Sequence, residues 1–327
     1  MTEEAQGGAD ARPPRRERPA WLEPSFWADW AAVVGLFGLI LIFGLSAPSF
    51  LSISNLHAVL VASSILIVVA VGQTFVIATA GIDLSMAATT TLSAVVLGIC
   101  YAAGFGIVAA CVLAVGAASF VGFLNGLVIT RGRIPDFVVT LGSLSAVTGL
   151  GLILSRGEPT MVSSLFLLRL SSGHIGLFGY PVLVAAAVAL LGHVLLYHTR
   201  FGVHLLATGG HAESARSLGI HIDRVRIAAY TISGSCAGIA AILLVARIGS
   251  AEPTVNTTLL LNSVAAVVLG GVSLFGGRGS ILGPVFGALM LTTLVNGLTL
   301  LGVSAFYQPL AVGIIVILAA LIMRYQR

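Results

Sequence analysis

The stretch RFGVHLLATGGHAESARSLGIHIDRVR, Arg200 to Arg226, is polar and basic, with long apolar segments on either side. It holds four of the sixteen arginines (Arg200, Arg216, Arg224, Arg226) and three of the seven histidines (His204, His211, His221). A loop this long and this basic between apolar spans reads as a docking surface on the cytoplasmic face of a membrane. A plain solvated connection is the alternative. Within the loop, Gly209-Gly210 is expected to break the chain. His211 to Leu218 should then form about two helical turns, with Gly219 as their stop. A helix this short is marginal alone, so it is expected to lean on a partner surface, with the small Ala212 and Ala215 turned toward it.

Composition supports the membrane setting. Of 327 residues, 57% are hydrophobic and 9% are charged, and the mean hydropathy is +1.06. Soluble domains carry about 25% charged residues, so this chain cannot cover a water-facing surface and reads as an all-α polytopic membrane protein. All sixteen positive charges are arginine. The net charge of +4 therefore speaks through its distribution and does not point to nucleic acid. Cys100, Cys111 and Cys236 all lie in apolar segments, with neither disulfide nor metal spacing.

Residues 1–30 read as a cytoplasmic N-terminal segment: Met1 to Ala20 is polar, rich in Pro, Arg and Glu and expected to be disordered, and Trp21, Trp27 and Trp30 follow as an interfacial anchor. No small-residue cleavage site closes the apolar run that follows, so it is not read as a cleavable signal. Residues 31–327 read as one transmembrane domain of ten apolar spans: 31–47, 58–80, 86–103, 107–130, 137–155, 179–198, 227–246, 263–275, 281–303 and 309–323. With both termini cytoplasmic, thirteen arginines fall inside and only Arg156, Arg169 and Arg247 outside. The chain also repeats itself. Ala94-Val95-Val96-Leu97-Gly98 recurs at Ala266 to Gly270, and Asn125-Gly126-Leu127 recurs at Asn296-Gly297-Leu298. Together these matches pair spans 2–5 with spans 7–10. Five spans separate corresponding helices, an odd number, so the halves are inverted, as in many transporters. Glycines at four-residue spacing (Gly122 and Gly126; Gly234 and Gly238; Gly279, Gly283 and Gly287) predict bare ridges where helices approach closely.

Between Asp29 and Arg131 the only formal charge is Asp83, in Gly81-Ile82-Asp83-Leu84-Ser85. A charge at that depth is a functional candidate. Asp83 or Ser85 also fits as an N-terminal cap of span 3, and capping is the favoured reading. Both roles are compatible, because capped, broken helices are how transporters build sites. The polar Asn125 and its repeat Asn296 join this pathway set. No nucleophile, metal cluster or cofactor motif stands out: Gly276-Gly277-Arg278-Gly279 lacks the Lys-Ser/Thr of a phosphate loop. One intramembrane carboxylate is also too few for proton or sodium coupling. The outer loop 156–180 suits contact with a separate binding protein, with an ordinary solvated loop as the alternative.

Three stretches together resemble the permease subunits of bacterial ABC importers of the ribose/xylose/arabinose type. They are Gly72-Gln73-Thr74 running into Gly81 to Ser85; Ala265 to Leu274 followed by Gly276-Gly277-Arg278-Gly279; and Glu213-Ser214-Ala215 with Gly219. The last is similar to the Glu-Ala-Ala…Gly coupling motif, with Ser214 in place of Ala. The resemblance covers residues 30–325. It implies the ten-helix fold of the cobalamin-importer (type II) permeases and a monosaccharide carried across the bacterial inner membrane. It also implies a second permease subunit in a homodimer, a cytoplasmic ATPase that holds the nucleotide, and a periplasmic sugar-binding protein. The coupling surface would be Gly209, Gly210, Ala212, Glu213, Ala215 and Gly219. A branched-chain amino-acid permease and a secondary transporter are the rival readings.

Overall fold

The computed structural model describes residues 24–324, with side-chain surroundings from Ala32 to Ile317. The expected N-terminal tail, Trp21 and Arg327 lie outside the described residues, as do the side chains of Trp27 and Trp30. Each of the ten apolar segments carries a helix: α1 Pro24–Ser46, α2 Ile53–Ala78, α3 Met86–Ala102, α4 Ile107–Gly132, α5 Asp136–Ser155, α7 Tyr180–Tyr197, α10 Ile222–Ile248, α11 Thr257–Leu269, α12 Leu282–Leu300 and α13 Gln308–Arg324. Three short helices lie in the connections: α6 Leu165–Ser172, α8 Arg200–Gly210 and α9 Ala212–Ser217. Two-residue strands β1 Thr160–Met161 and β4 Ser250–Ala251 pair antiparallel, as do β2 His174–Ile175 and β3 Phe178–Gly179. Among the described residues, six helices (α2, α4, α5, α7, α10, α12) are long and apolar enough to cross a membrane, and α1, α3, α11 and α13 carry shorter apolar stretches. The chain is a multi-pass membrane protein.

The core is built on α2. Every residue from Ser63 to Ala78 is buried, and 83% of its most hydropathic window is buried, as expected of a largely apolar helix at the centre of a bundle. It packs against α7, α10, α11 and α12. The pairings of the first half recur in the second: α3 on α4 and α5 matches α11 on α12 and α13, and α10 on α3 and α4 matches α2 on α11 and α12.

The glycine ridges are filled by backbone. Gly122 faces the Tyr230 carbonyl, Gly126 the Ile227 Cα, Gly234 the Ala118 carbonyl and Gly238 the Val115 Cα, so α4 and α10 meet with almost no side chain between them. In lipid, where apolar side chains gain little by leaving the solvent, this close approach is what binds helices. Gly283 and Gly287 do the same for α12 against Gly270 and Ala266 of α11. Gly279 departs from the expected ridge, because α12 begins at Leu282.

Two other expectations change. Span 8 was expected at 263–275, yet α11 runs Thr257–Leu269. Asn256 caps it by accepting from Leu259 N at 3.0 Å, and Gly271, at φ +79°, turns the chain away. An apolar run alone overlooks both signals. Gly209-Gly210 also fails to break the chain: α8 continues through both glycines, and the break falls at His211, φ −155° and ψ 94°. These glycines serve a backbone contact described below.

Contacts between connections sort to two ends of the bundle. At one end, β1 meets β4, Tyr101 Oη donates to Ser163 O at 2.6 Å, and His57 Nδ1 lies 2.9 Å from Leu177 O. At the other, Gly277 N donates to Ala78 O at 3.1 Å, and Tyr197 Oη to Gly279 O at 2.9 Å. The second end carries Arg131, Arg133, Arg200, Arg216, Arg224, Arg226 and Arg278, while the first carries Arg156, Arg169 and Arg247.

Candidate functional site

Two structures stand at the arginine-rich end: the turn around Asp83 and the elbow formed by α8 and α9.

The turn begins where α2 ends. Ala80 N donates to Ile77 O at 2.9 Å and Gly81 N to Val76 O at 3.2 Å, the paired closure that usually places glycine in the left-handed position. Here Ala80 occupies it, at φ +61°, at a cost of about 1 kcal/mol. A Cβ on Gly81 would lie 2.7 Å from Asp136 Oδ2 and 2.8 Å from Tyr230 Oη. Only glycine lets α5 and α10 close over this strand of chain. The Ile82 carbonyl then accepts from Thr140 Oγ1 at 3.2 Å and Tyr230 Oη at 3.4 Å.

Asp83 sits 2% exposed with each carboxylate oxygen occupied. Oδ1 accepts from Ser85 N at 3.0 Å and Ser85 Oγ at 2.6 Å, and Oδ2 accepts from Ser233 Oγ at 2.8 Å. Asn125 Nδ2 donates to Ser85 Oγ at 2.8 Å, and Gln73 Nε2 to the Asp83 carbonyl at 2.7 Å. The three donors to the carboxylate are neutral, and the network ties the turn to α2, α4 and α10. The Ser85 side chain makes no capping bond to α3. Asp83 takes one amide of the approach to that helix and the Ser85 hydroxyl, and the carboxylate's bond from Ser233 reaches across the bundle.

Gly81, Asp83, Ser85 and Asn125 are thus brought together, but Asn296 is not. Its amide forms a reciprocal pair with Asn55 at 2.9 and 3.0 Å, at the opposite end of α2, about 35 Å away at 1.5 Å rise per residue. Ser233, Gln73, Thr140, Tyr230 and Asp136 were not foreseen as parts of this turn. Gln73 had a signal, as a lone amide in an apolar run. Ser233 had none, standing among Thr231, Ser235 and small neighbours.

In the elbow, Thr199 caps α8 by accepting from Gly202 N at 3.4 Å. Gly202, Leu205, Thr208 and Gly209 are buried, and Val203 and His204 are exposed, a one-sided helix. His211 Nδ1 accepts from Ser214 N at 3.4 Å to start α9. At its end Gly219 stands at φ +83°, with Gly219 N donating to Arg216 O at 3.0 Å and Ile220 N to Ala215 O at 3.1 Å. This is a Schellman closure, so the expected stop at Gly219 holds. The expected helix of His211 to Leu218 shortens to Ala212–Ser217. The outward face differs from the expectation. Ala215 is 2% exposed and packs into this chain, whereas Glu213, Ser214, Arg216, Ser217 and Leu218 face outward, Leu218 at 81%. A face that combines both charges with an exposed leucine can take another protein.

The pattern of the family described as "Branched-chain amino acid transport system / permease component" matches residues 55–322. The chain is 36% identical over 315 residues to the ribose import permease protein RbsC of Escherichia coli K12, covering 93% of this chain and 94% of that one. It is 36% identical over 293 residues to RbsC of Bacillus subtilis 168, covering 89% and 91%. It is 34% identical over 296 residues to the autoinducer 2 import system permease protein LsrC of Yersinia pseudotuberculosis serotype O:3, covering 88% and 82%. No solved structure matches the chain. With a multi-pass helical fold, a buried polar turn and an outward-facing elbow at one end, and relatives matched over nearly their whole length, the chain belongs to the permease-component family of these import systems.

Proposed function

We propose that this chain is the membrane-spanning permease of an ATP-driven importer that carries a ribose-like sugar across the bacterial inner membrane. The observation that carries the reading is the α8–α9 elbow: a six-residue helix anchored on one side by Ala215 and presenting Glu213, Arg216 and Leu218 on the other. Such a helix gains its order from what it touches on both sides, which suits a cytoplasmic ATPase subunit in whose groove it sits. The chain itself supplies the pathway and hydrolyses nothing. Its relatives named for ribose, matched over nine-tenths of their length, support a sugar over a branched-chain amino acid.

Ten crossings in two inverted halves, in the manner of the cobalamin importers, fit the recurring helix pairings, and the arginine distribution favours cytoplasmic termini. The outer connections, with α6 and the two strand pairs, face a periplasmic sugar-binding protein. A second copy completes the pore. We assign that contact to α5, of whose hydropathic window only 17% is buried and whose Gly142 and Gly149 face open space. Gly81, Asp83, Ser85 and Asn125 then act as the fastening of a broken helix, because they are bonded to one another and to Ser233.

The test is reconstitution in vesicles with the ATPase and the binding protein. Labelled ribose should accumulate only with all three present and ATP supplied. Accumulation by this chain alone would make it a secondary transporter, and accumulation of leucine but not ribose would move it to the amino-acid branch.

A further inference from the structure

Three segments meet at the arginine-rich end largely through backbone: the end of α2 (residues 78–80), the end of α8 (209–210) and the connection between α11 and α12 (276–279). Gly209 presses directly on the Ala78 carbonyl, and a Cβ there would also stand 2.7 Å from Gly277 N. A Cβ on Gly277 would lie 2.6 Å from Gly210 Cα, and one on Gly276 would lie 2.7 Å from both Ala80 N and Gly209 O. Gly277 N donates to Ala78 O at 3.1 Å. Gly276 and Gly277 reach this position in left-handed backbone, φ +77° and +74°, which glycine adopts without strain.

We propose that Ala78, Gly209 and Gly277 form a rigid coupler that carries displacement of α9 to the Asp83 turn. This rests on the reading of α9 as the ATPase-facing helix. Where side chains interdigitate, rotamer changes absorb small shifts. At Gly209, Gly276 and Gly277 main chain meets main chain, with only the Ala80 methyl beside it, so no rotamer can yield there. Ala78 is fully buried, and parting the segments would strand its carbonyl and the Gly277 amide, at about 1–3 kcal/mol for an unsatisfied buried group. Irregular backbone lies on either side of the coupler. On one side His211, exposed and extended, joins it to α9. On the other the irregular turn through Asp83 joins it to α3, and is bonded to Asn125 on α4 and Ser233 on α10. A push on α9 therefore passes through the adjoining end of α8 into the end of α2, and is released where Asp83 holds the pathway helices together.

Two arms test this. In a variant with Cys100, Cys111 and Cys236 replaced by serine, cysteines at Ala78 and Gly279 can be joined, since the Ala78 Cβ lies 3.3 Å from the Cβ position of Gly279, close to the roughly 3.5–4.5 Å of disulfides. A rigid coupler is already locked, so the oxidised protein should take up sugar at the rate of the reduced one. A pair that oxidises and stops uptake, with reductant restoring it, would overturn the proposal, as would a pair that fails to oxidise. In the second arm, Gly209→Ala wedges a methyl group into the coupler. Co-purification of the ATPase should persist, while binding-protein-stimulated uptake falls about 10- to 100-fold, the range of typical coupling energies. Normal uptake would overturn the proposal. If Gly209→Ala fails to accumulate in the membrane, the disulfide arm decides. An ATPase that does not associate with the unaltered chain would instead sink the assignment of α9, a distinguishable failure.

Discussion

Replacing Asp83 by alanine removes the acceptor of three hydrogen bonds from the buried turn. The losses are unequal. Ser233 Oγ lies 3.4 Å from Met86 Sδ and can turn to it, so that donor keeps a weak partner. The Ser85 amide has fixed geometry and is left buried without an acceptor, at about 1–3 kcal/mol. The Ser85 hydroxyl proton and the emptied volume add to this, so Asp83→Ala should cost about 2–4 kcal/mol. Asp83→Asn keeps an oxygen toward Ser85 and offers an NH₂ to Ser233, whose hydroxyl can accept it and donate to Met86 Sδ instead. What is lost is charge assistance, about 1 kcal/mol, offset in part because a charge no longer has to be buried. At roughly 2 °C per kcal/mol for a chain of this size, the alanine variant should unfold about 4–8 °C lower in detergent and the asparagine variant within about 2 °C of wild type. Uptake should follow the same order. If asparagine fell as far as alanine in both assays, the negative charge itself would be required, and the fastening role argued for Asp83 would be wrong.

Gly122→Ala should destabilise the α4–α10 contact by about 1–3 kcal/mol, because overpacking cannot move the Tyr230 backbone. Gly116→Ala, which meets open space, should be silent, and equal melting temperatures for the two would contradict the packing described. Leu218→Asp should leave the fold intact and weaken co-purification of the ATPase. Ala215→Glu should instead lower the amount of folded permease, since it buries a charge inside this chain; protease sensitivity of the two variants separates these outcomes. Cysteines at Ser172 and Ser217, both exposed, should react with an impermeant thiol reagent from opposite faces of the membrane, and labelling of both from outside would refute the topology.

The helical membrane class of the protein and the places of most of its long helices were legible in the chain alone, α11 being the exception. Both follow from composition and from apolar runs of membrane length, which are local properties. The stop at Gly219 was legible for the same reason: a left-handed closure needs one glycine at one place. The alternation of Arg-rich and Arg-poor connections also suggested which connections share an end of the bundle. Residue-level partners were not legible. Ser233 bonds Asp83 from a distant helix, Asn296 pairs with Asn55 away from the turn, and Ala215 faces inward. In a soluble helix the apolar stripe marks the buried face. Here lipid and protein interior are equally apolar, so α4 and α10 carry no stripe to reveal which side meets a neighbour. Gly209 and Gly210 show the limit most clearly. As a dipeptide they signal a break, yet α8 runs through them, because their bareness serves the approach of Ala78 and Gly277, and only the packed bundle brings those backbones together.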